Sequence, residues 1–208
     1  MNALIVIAVG YALGCFSTAY YLFRISTGGD IRGRGSGNAG ARNIGRELGA
    51  LAFGVTLAVD SGKGFLAVAL ARHFESDAAS PLLTLLAMLA VVAGHIWPAQ
   101  LGFRGGKGVA AGIGALAAFD AKLLIPSAVV FAIAAPLAKS FTLGGLLGIA
   151  ATPIAAAIFH QSALATASVS ILTALIIFAH REDLREIRIA AHAGSAKTID
   201  PKVARRQP

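Results

Sequence analysis

Long apolar runs, separated by short polar or glycine-rich stretches, set the organisation of this chain. They fall at 3–23, 48–71, 81–101, 108–119, 121–138, 143–159 and 162–179. A helix needs about 20 apolar residues to cross a bilayer, with a range of about 17–25, so most of these runs predict membrane-spanning helices as they stand. The run at 108–119 is the exception, because about 12 residues rising roughly 1.5 Å each reach only about 18 Å of a hydrocarbon core roughly 30 Å thick. Irregular backbone at membrane depth is tolerated only where protein buries it or where it lines a wet cavity. The loop before this short run, GFRGGKG at 102–108, is therefore expected to bound a polar site at the membrane interface.

Charges between the runs decide whether 108–138 is one span or two. Two spans place Arg24, Arg32, Arg34, Arg42, Arg46, Arg104, Lys107, Lys139 and all seven basic residues after His180 on one face. The other face keeps Arg72 and Lys122 beside Glu75, Asp77 and Asp120. A single span would turn the basic tail outward, against the cytoplasmic excess of Lys and Arg in membrane proteins. The expectation is an all-α, polytopic integral membrane protein of seven transmembrane helices, amino terminus outside and carboxyl terminus cytoplasmic. It forms one membrane-embedded domain over 1–208, with an interfacial cytoplasmic tail at 180–208. The first run lacks a basic n-region and a small-residue cleavage site, so it reads as a retained helix and not a signal peptide.

Composition agrees with a lipid surround. Of 208 residues, 56% are hydrophobic and 13% charged, against roughly 25% charged residues in soluble domains, and the mean hydropathy is +0.73. The formal net charge of +8 sits in short loops and lacks the basic face with interleaved aromatics that nucleic-acid binding requires. It fits membrane topology and anionic ligands instead. The single cysteine, Cys15, excludes an internal disulfide.

Three polar clusters share the basic face. The first, IRGRGSGNAGARNIGRELG at 31–49, holds six glycines, two asparagines, a serine and four arginines. Gly35, Gly37 and Gly40 spell G-x-G-x-x-G, but the dinucleotide fingerprint needs a preceding strand within a βαβ unit, and here apolar spans flank it. What survives is that glycines let backbone N–H groups approach an anion closely. The second cluster, GHIWPAQLGFRGGKG at 94–108, ends in Gly105, Gly106, Lys107 and Gly108, without the spacing or the Ser/Thr of a P-loop. Arg104 and Lys107 there serve either positive-inside anchoring or phosphate contact, and the flanking glycines favour phosphate. The third, HREDLREIR at 180–188, follows the last span. Leu184, Ile187 and Ala191 give it an interfacial apolar stripe with Arg185 and Arg188 toward headgroups, which leaves His180 and Asp183 unexplained. Within the second span, Asp60 and Lys63 share a helical face, either as a structural pair or as substrate contacts. An organic-anion transporter would use similar features, but all three clusters lie on one face, whereas transport sites sit near the midplane.

GSGNAGARN followed by Arg46, GHIWPAQLGFRGGKGVA, and HRED resemble the three motifs of the bacterial acyl-phosphate-dependent glycerol-3-phosphate acyltransferases, and DSGKG at 60–64 resembles that family's Asp-x-x-Lys-Gly. The resemblance runs from Gly35 to Arg188. It implies a multi-pass enzyme of the bacterial plasma (inner) membrane with its active site on the cytoplasmic side. The implied reaction moves an acyl chain from acyl phosphate to the 1-hydroxyl of glycerol 3-phosphate, giving lysophosphatidic acid and phosphate for phospholipid synthesis. Its implied partners are these two substrates and membrane lipid, with no cofactor, metal, nucleic acid or obligate protein partner. At matching positions stand Ser36, Arg46, Lys107 and His180 as catalytic residues. Gly35, Gly37, Asn38, Gly40, Asn43, Gly105, Gly106, Gly108, Thr142 and Asp183 face substrate, and Asp60, Lys63 and His95 support them. Arg46 and Lys107 would carry phosphate charge, Ser36 and neighbouring N–H groups phosphate oxygens, and His180 would position or deprotonate the acceptor hydroxyl. Either a side chain or a substrate phosphate serves as the base.

Two positions depart from the family pattern: Arg42 stands in place of Thr and Asp183 in place of Asn. A carboxylate about 4 Å from a phosphate charge costs about 4 kcal/mol at an effective dielectric near 20. The expectation is that Arg42 and Asp183 neutralise each other across the pocket; the alternative is a divergent paralogue with another acceptor.

Overall fold

The computed structural model describes residues 2–75, 81–159 and 161–197, with 190–197 described by backbone course alone. Asp77, Lys202, Arg205, Arg206 and the side chain of Ala191 lie outside the described residues. Among the described residues the chain forms α1 (Ala3–Cys15), α2 (Thr18–Thr27), α3 (Ala41–Leu48), α4 (Ala50–His73), α5 (Leu82–Ile96), α6 (Val109–Asp120), α7 (Leu124–Leu137), α8 (Phe141–Ile158), α9 (Ala163–Ala179) and α10 (Arg181–Lys197). Short 3₁₀ turns stand at Ile31–Gly33, Ala99–Leu101 and Ala121–Leu123.

By length and apolarity, five helical stretches suffice to cross a membrane: Ala3–Thr27, Ala50–His73, Leu82–Leu101, Val109–Leu137 and Phe141–Ile158. A sixth arises if α9 and the start of α10, bent by 55°, count together. Large apolar side chains such as Leu51, Ile125, Ile133 and Ile154 project outward from these helices. Soluble monomers rarely expose contiguous apolar patches beyond a few hundred Å², whereas lipid removes the cost. Lipid also removes the reward for hiding apolar surface between helices, so small residues that let backbones meet become the packing device. Gly14 of α1 and Gly94 of α5 lie face to face, Gly64 of α4 abuts Ala111 of α6, and Gly114 abuts Ser61.

The first apolar run is two helices and not one. α1 stops at Cys15, Phe16 and Ser17 are extended, and α2 begins at Thr18. A break inside an apolar run strands carbonyls that have no water to turn to. Lys63 Nζ donates to Gly14 O at 3.0 Å and to Phe16 O, and Gln100 Nε2 donates to Cys15 O. Lys63 also pairs at 3.0 Å with Asp60 Oδ1, which accepts from Thr18 Oγ1 at 2.9 Å. The ammonium of Lys63 is thus engaged by Asp60 and by the carbonyls of the break.

Asp120 interrupts the stretch 109–137, since its φ of −155° and ψ of 102° are extended. α6 packs on α4, while α7 packs on α8 with Gly144 against Ala135 and Gly148 against Ser127. Arg42 Nη1 donates to Thr142 Oγ1 at the start of α8 (2.6 Å), and Gln161 Nε2 donates to Asp120 Oδ2 beyond its end (2.9 Å). α6 therefore leads away from the glycine-rich loops to Asp120, and α7 leads back toward them. Beside Asp120, the far end gathers Arg72, Glu75, Thr84 and Gln161 around a polar hollow.

Candidate active site

The stretch 31–49 is ordered by one side chain. Asn43, in the first turn of α3 and 1% exposed, donates from Nδ2 to the carbonyls of Arg34 and Asn38 at 3.0 Å each and of Ile31 at 3.3 Å. Its Oδ1 accepts from the Ser36 N–H at 2.9 Å. Asn43 was expected to bind substrate; its amide is engaged by the loop, where it holds the Ser36 N–H, and the residue also lines the cavity described below. Gly35 and Gly37 have φ of +51° and +71°, the left-handed region where a side chain is strained. A Cβ on Gly35 would also overlap Asn43 Oδ1. These two glycines shape the loop and do not line the cavity described below.

The second cluster folds back on the end of α5. Gly105 N–H donates to Ile96 O and Gly106 N–H to His95 O, both at 3.0 Å. A Cβ on Gly105 would overlap His95 O, and one on Gly106 would overlap the His95 imidazole. Both glycines were expected to face substrate; here they pack closely on the end of α5 and are not among the residues lining the cavity described below. Arg32 joins the two clusters: it forks onto Asp30, donates to Leu101 O and lies 5.2 Å from the centre of the Tyr20 ring. Hydrogen bonds from Arg32 hold the Asp30 carboxyl below the usual carboxylate range.

Between these clusters, α4 and the α7–α8 hairpin lies a cavity of about 600 Å³. Its polar end is lined by Ser36, Asn38, Gly40, Arg42, Asn43, Arg46, Lys107, Gly108, Thr142, His180 and Asp183. Its apolar walls come from Phe53, Leu57, Ile113, Leu124, Phe131, Leu146 and Ile149. Two helix N-termini open into it. Gly40 caps α3 and Gly108 caps α6 without a side-chain hydrogen bond, and Ala41, Arg42, Val109 and Ala110 line the cavity. The first N–H groups of a helix lack intrahelical partners and, with the helix dipole, favour anions.

The charged side chains sort themselves differently from expectation. No hydrogen bond or ion pair joins Asp183 to Arg42, although the Asp183 charge is felt at Arg42. Its carboxylate is bound by Lys107 Nζ through both oxygens, while Arg42 bonds Thr142 and lies 4.7 Å from the centre of the Phe141 ring. Lys107 projects from the loop directly opposite the first turn of α10, so it meets Asp183 first. Arg46 has no ion-pair or hydrogen-bond partner among the described residues. His180 caps α9 and is 8% exposed; its Nδ1 lies 2.8 Å from Ile176 O. A carbonyl only accepts, so the proton sits on Nδ1 and Nε2 keeps its lone pair. Burial holds this imidazole below its ordinary pKa. Deeper in the cavity, Asp60 and His95 also contribute to the lining, with Asp60 Oδ1 3.9 Å from His95 Nδ1. Lys63 does not.

Sequence reading missed Glu186 and the apolar wall. Glu186 lines the cavity three residues after Asp183, a helical spacing that places the two on one face of α10. Phe53, Leu57 and Leu146 carry no signal of their own within apolar spans.

A profile of the glycerol-3-phosphate acyltransferase family matches residues 4–190. The chain is 42% identical over 187 residues to glycerol-3-phosphate acyltransferase 1 of Desulfitobacterium hafniense strain Y51, covering 90% of this chain and 91% of that one. It is 38% identical over 188 residues to the glycerol-3-phosphate acyltransferase of Clostridioides difficile strain 630, covering 88% and 91%. The fold matches the crystal structure of PlsY (YgiH), an integral membrane glycerol 3-phosphate acyltransferase, in its glycerol 3-phosphate form. That match has a TM-score of 0.83 at 27% identity and covers 90% of this chain and 92% of that one. The lysophosphatidic acid form of PlsY matches at a TM-score of 0.81, 26% identity and the same coverage.

Proposed function

This chain belongs to the glycerol-3-phosphate acyltransferase family, and we propose that it draws its acyl group from acyl phosphate, in the cavity between the glycine-rich loops. It is a multi-pass integral membrane acyltransferase of phospholipid synthesis. The observation that carries the donor assignment is that a single cavity joins a cationic end, with two open helix N-termini, to an apolar wall. Both substrates bring phosphate and one also brings a fatty chain, so the two ends of the cavity suit the two parts of an acyl phosphate.

In this reading Arg46, Lys107, Ser36 and the N–H groups of α3 and α6 hold the phosphates and blunt their repulsion. His180 Nε2 accepts a hydrogen bond from the 1-hydroxyl of glycerol 3-phosphate and fixes its direction. The hydroxyl oxygen bonds to the acyl carbon, the bond from that carbon to the phosphate oxygen breaks, and the electron pair leaves with phosphate. The hydroxyl proton ends on inorganic phosphate, and lysophosphatidic acid is the other product. Asn43 acts through Ser36, and Lys63 acts through the α1–α2 break.

The same proposal places one membrane-embedded domain of seven spans in the bacterial inner membrane, amino terminus outside and cavity facing the cytoplasm. Reversal of the chain at Asp120 supports separate spans for α6 and α7. Arg42, Arg46 and Lys107 line the cavity, as expected of a cytoplasmic side. The test is phosphate release from acyl phosphate by purified protein in detergent or lipid. Release should require glycerol 3-phosphate and fall by about 10²-fold or more in Lys107→Ala, the scale of losing one preorganised charge partner. Equal turnover with an acyl thioester donor would overturn the donor assignment, and release that needs a different polyol phosphate would overturn the acceptor.

A further inference from the structure

Lys107 is bound to a carboxylate. Its Nζ reaches both oxygens of Asp183, and the two side chains are 22% and 25% exposed. Asp183 thus offers Lys107 two oxygens sharing negative charge, which is what a phosphate offers. The other cations of the polar end are engaged differently, with Arg42 on neutral Thr142 and Phe141. Lys107 is the cation of this end whose charge is already met.

Asp183 stands in the first turn of α10, which leaves α9 through a bend of 55° at His180. A carboxylate there is favoured by the helix N-terminus whether or not it holds a lysine, so it keeps a place to go when displaced. The pair is exposed enough for its attraction to be weak and exchangeable. A phosphate dianion attracts an ammonium more strongly than a carboxylate does, but the displaced Asp183 remains tethered nearby and repels it.

We propose that Asp183 is an internal competitor of substrate phosphate, holding Lys107 until a phosphate displaces it and so setting the phosphate affinity of this enzyme. The proposal rests on Lys107 as a phosphate ligand, the reading given above. Inorganic phosphate is the probe, measured as an inhibitor of acyl transfer and, without donor, by calorimetry. Asp183→Asn is expected to tighten phosphate binding about five- to tenfold and to lower KM for glycerol 3-phosphate. Asp183→Glu, which keeps the charge, stays near wild type. In the unaltered protein, added phosphate should speed amide exchange in residues 181–185 as α10 loses its tie to Lys107. Unchanged or weaker phosphate binding in Asp183→Asn, or slower exchange in 181–185 on adding phosphate, would show that Asp183 merely positions Lys107. If Lys107→Ala binds phosphate as wild type does, the phosphate assignment itself falls; if it loses binding while Asp183→Asn changes nothing, only the competition falls.

Discussion

Asn43→Asp is the most informative single change, because it preserves shape and reverses the hydrogen-bonding sense of one atom. Asn43 Nδ2 faces the carbonyls of Arg34 and Asn38 at 3.0 Å and of Ile31 at 3.3 Å. Aspartate keeps the oxygen that accepts from Ser36 N–H and turns the donor into a second oxygen pointed at those carbonyls. An amide has two hydrogens, and leaving a buried acceptor without its donor costs about 1–3 kcal/mol, so the loop loses about 2–6 kcal/mol. That loss falls on residues 31–38, which open locally while the packed helices stay closed. At 1.4 kcal/mol per tenfold, the ordered loop that presents Ser36 becomes about 10²- to 10³-fold rarer in mid-range. Acceptor-dependent phosphate release should fall by that factor, and amide exchange at 31–38 should accelerate, while the melting temperature moves only a few degrees. Activity within about threefold of wild type would refute the idea that this one amide orders the loop.

Gly106→Ala drives a methyl into the imidazole of His95 and should cost about 1–3 kcal/mol by overpacking, lowering the melting temperature. Gly33→Ala, where nothing lies within 4 Å, should stay within about 0.5 kcal/mol. Lys63→Met leaves Asp60 a buried unpaired charge and should cost about 3–5 kcal/mol in denaturant-monitored unfolding in detergent; Asp60→Asn added to it should return part of that loss. His180, held below its ordinary pKa by burial, is neutral in the folded chain and takes up a proton more readily when unfolded. Its stabilising effect is therefore full above about pH 6.5 and declines as pH falls below that value, a limb that His180→Gln should make shallower in melting curves recorded without substrate.

Membrane spans were readable because lipid forces every backbone group to find its partner within its own segment. An apolar run of sufficient length then dictates helix almost without regard to its neighbours, and α4, α5, α8 and α9 lie within a few residues of the expected runs. The break in the run 3–23 obeys a different rule. No proline marks Phe16 or Ser17, and the donors that satisfy the broken turn, Lys63 and Gln100, lie 47 and 85 positions away from the carbonyls they serve. A lysine inside an apolar run signals that something needs its hydrogens; what needs them is settled only when α1, α4 and the turn after α5 meet. Asn43 is the same case in the loop, a polar residue whose three carbonyl partners become evident only once the turn is closed.

Which partner a charge contacts is decided by reach, and this is why Arg42 and Asp183, joined in reading the sequence, make no direct contact in the fold. Both residues belong to the cavity, but Arg42 rises from α3 beside the start of α8, whereas Asp183 opens α10 opposite Lys107. Arg42 consequently lends its hydrogen bond to Thr142; burial first and then Arg46 lower its pKa, and the Asp183 charge, acting at a distance, offsets part of that. If the cavity binds two phosphates as proposed, the two arginines and the open N-termini of α3 and α6 would attract one, and Lys107 would hold the second only by giving up Asp183. On the proposed function, the glycine-rich loop that looked like a nucleotide site would serve phosphate by a helix start and two arginines in place of a βαβ turn.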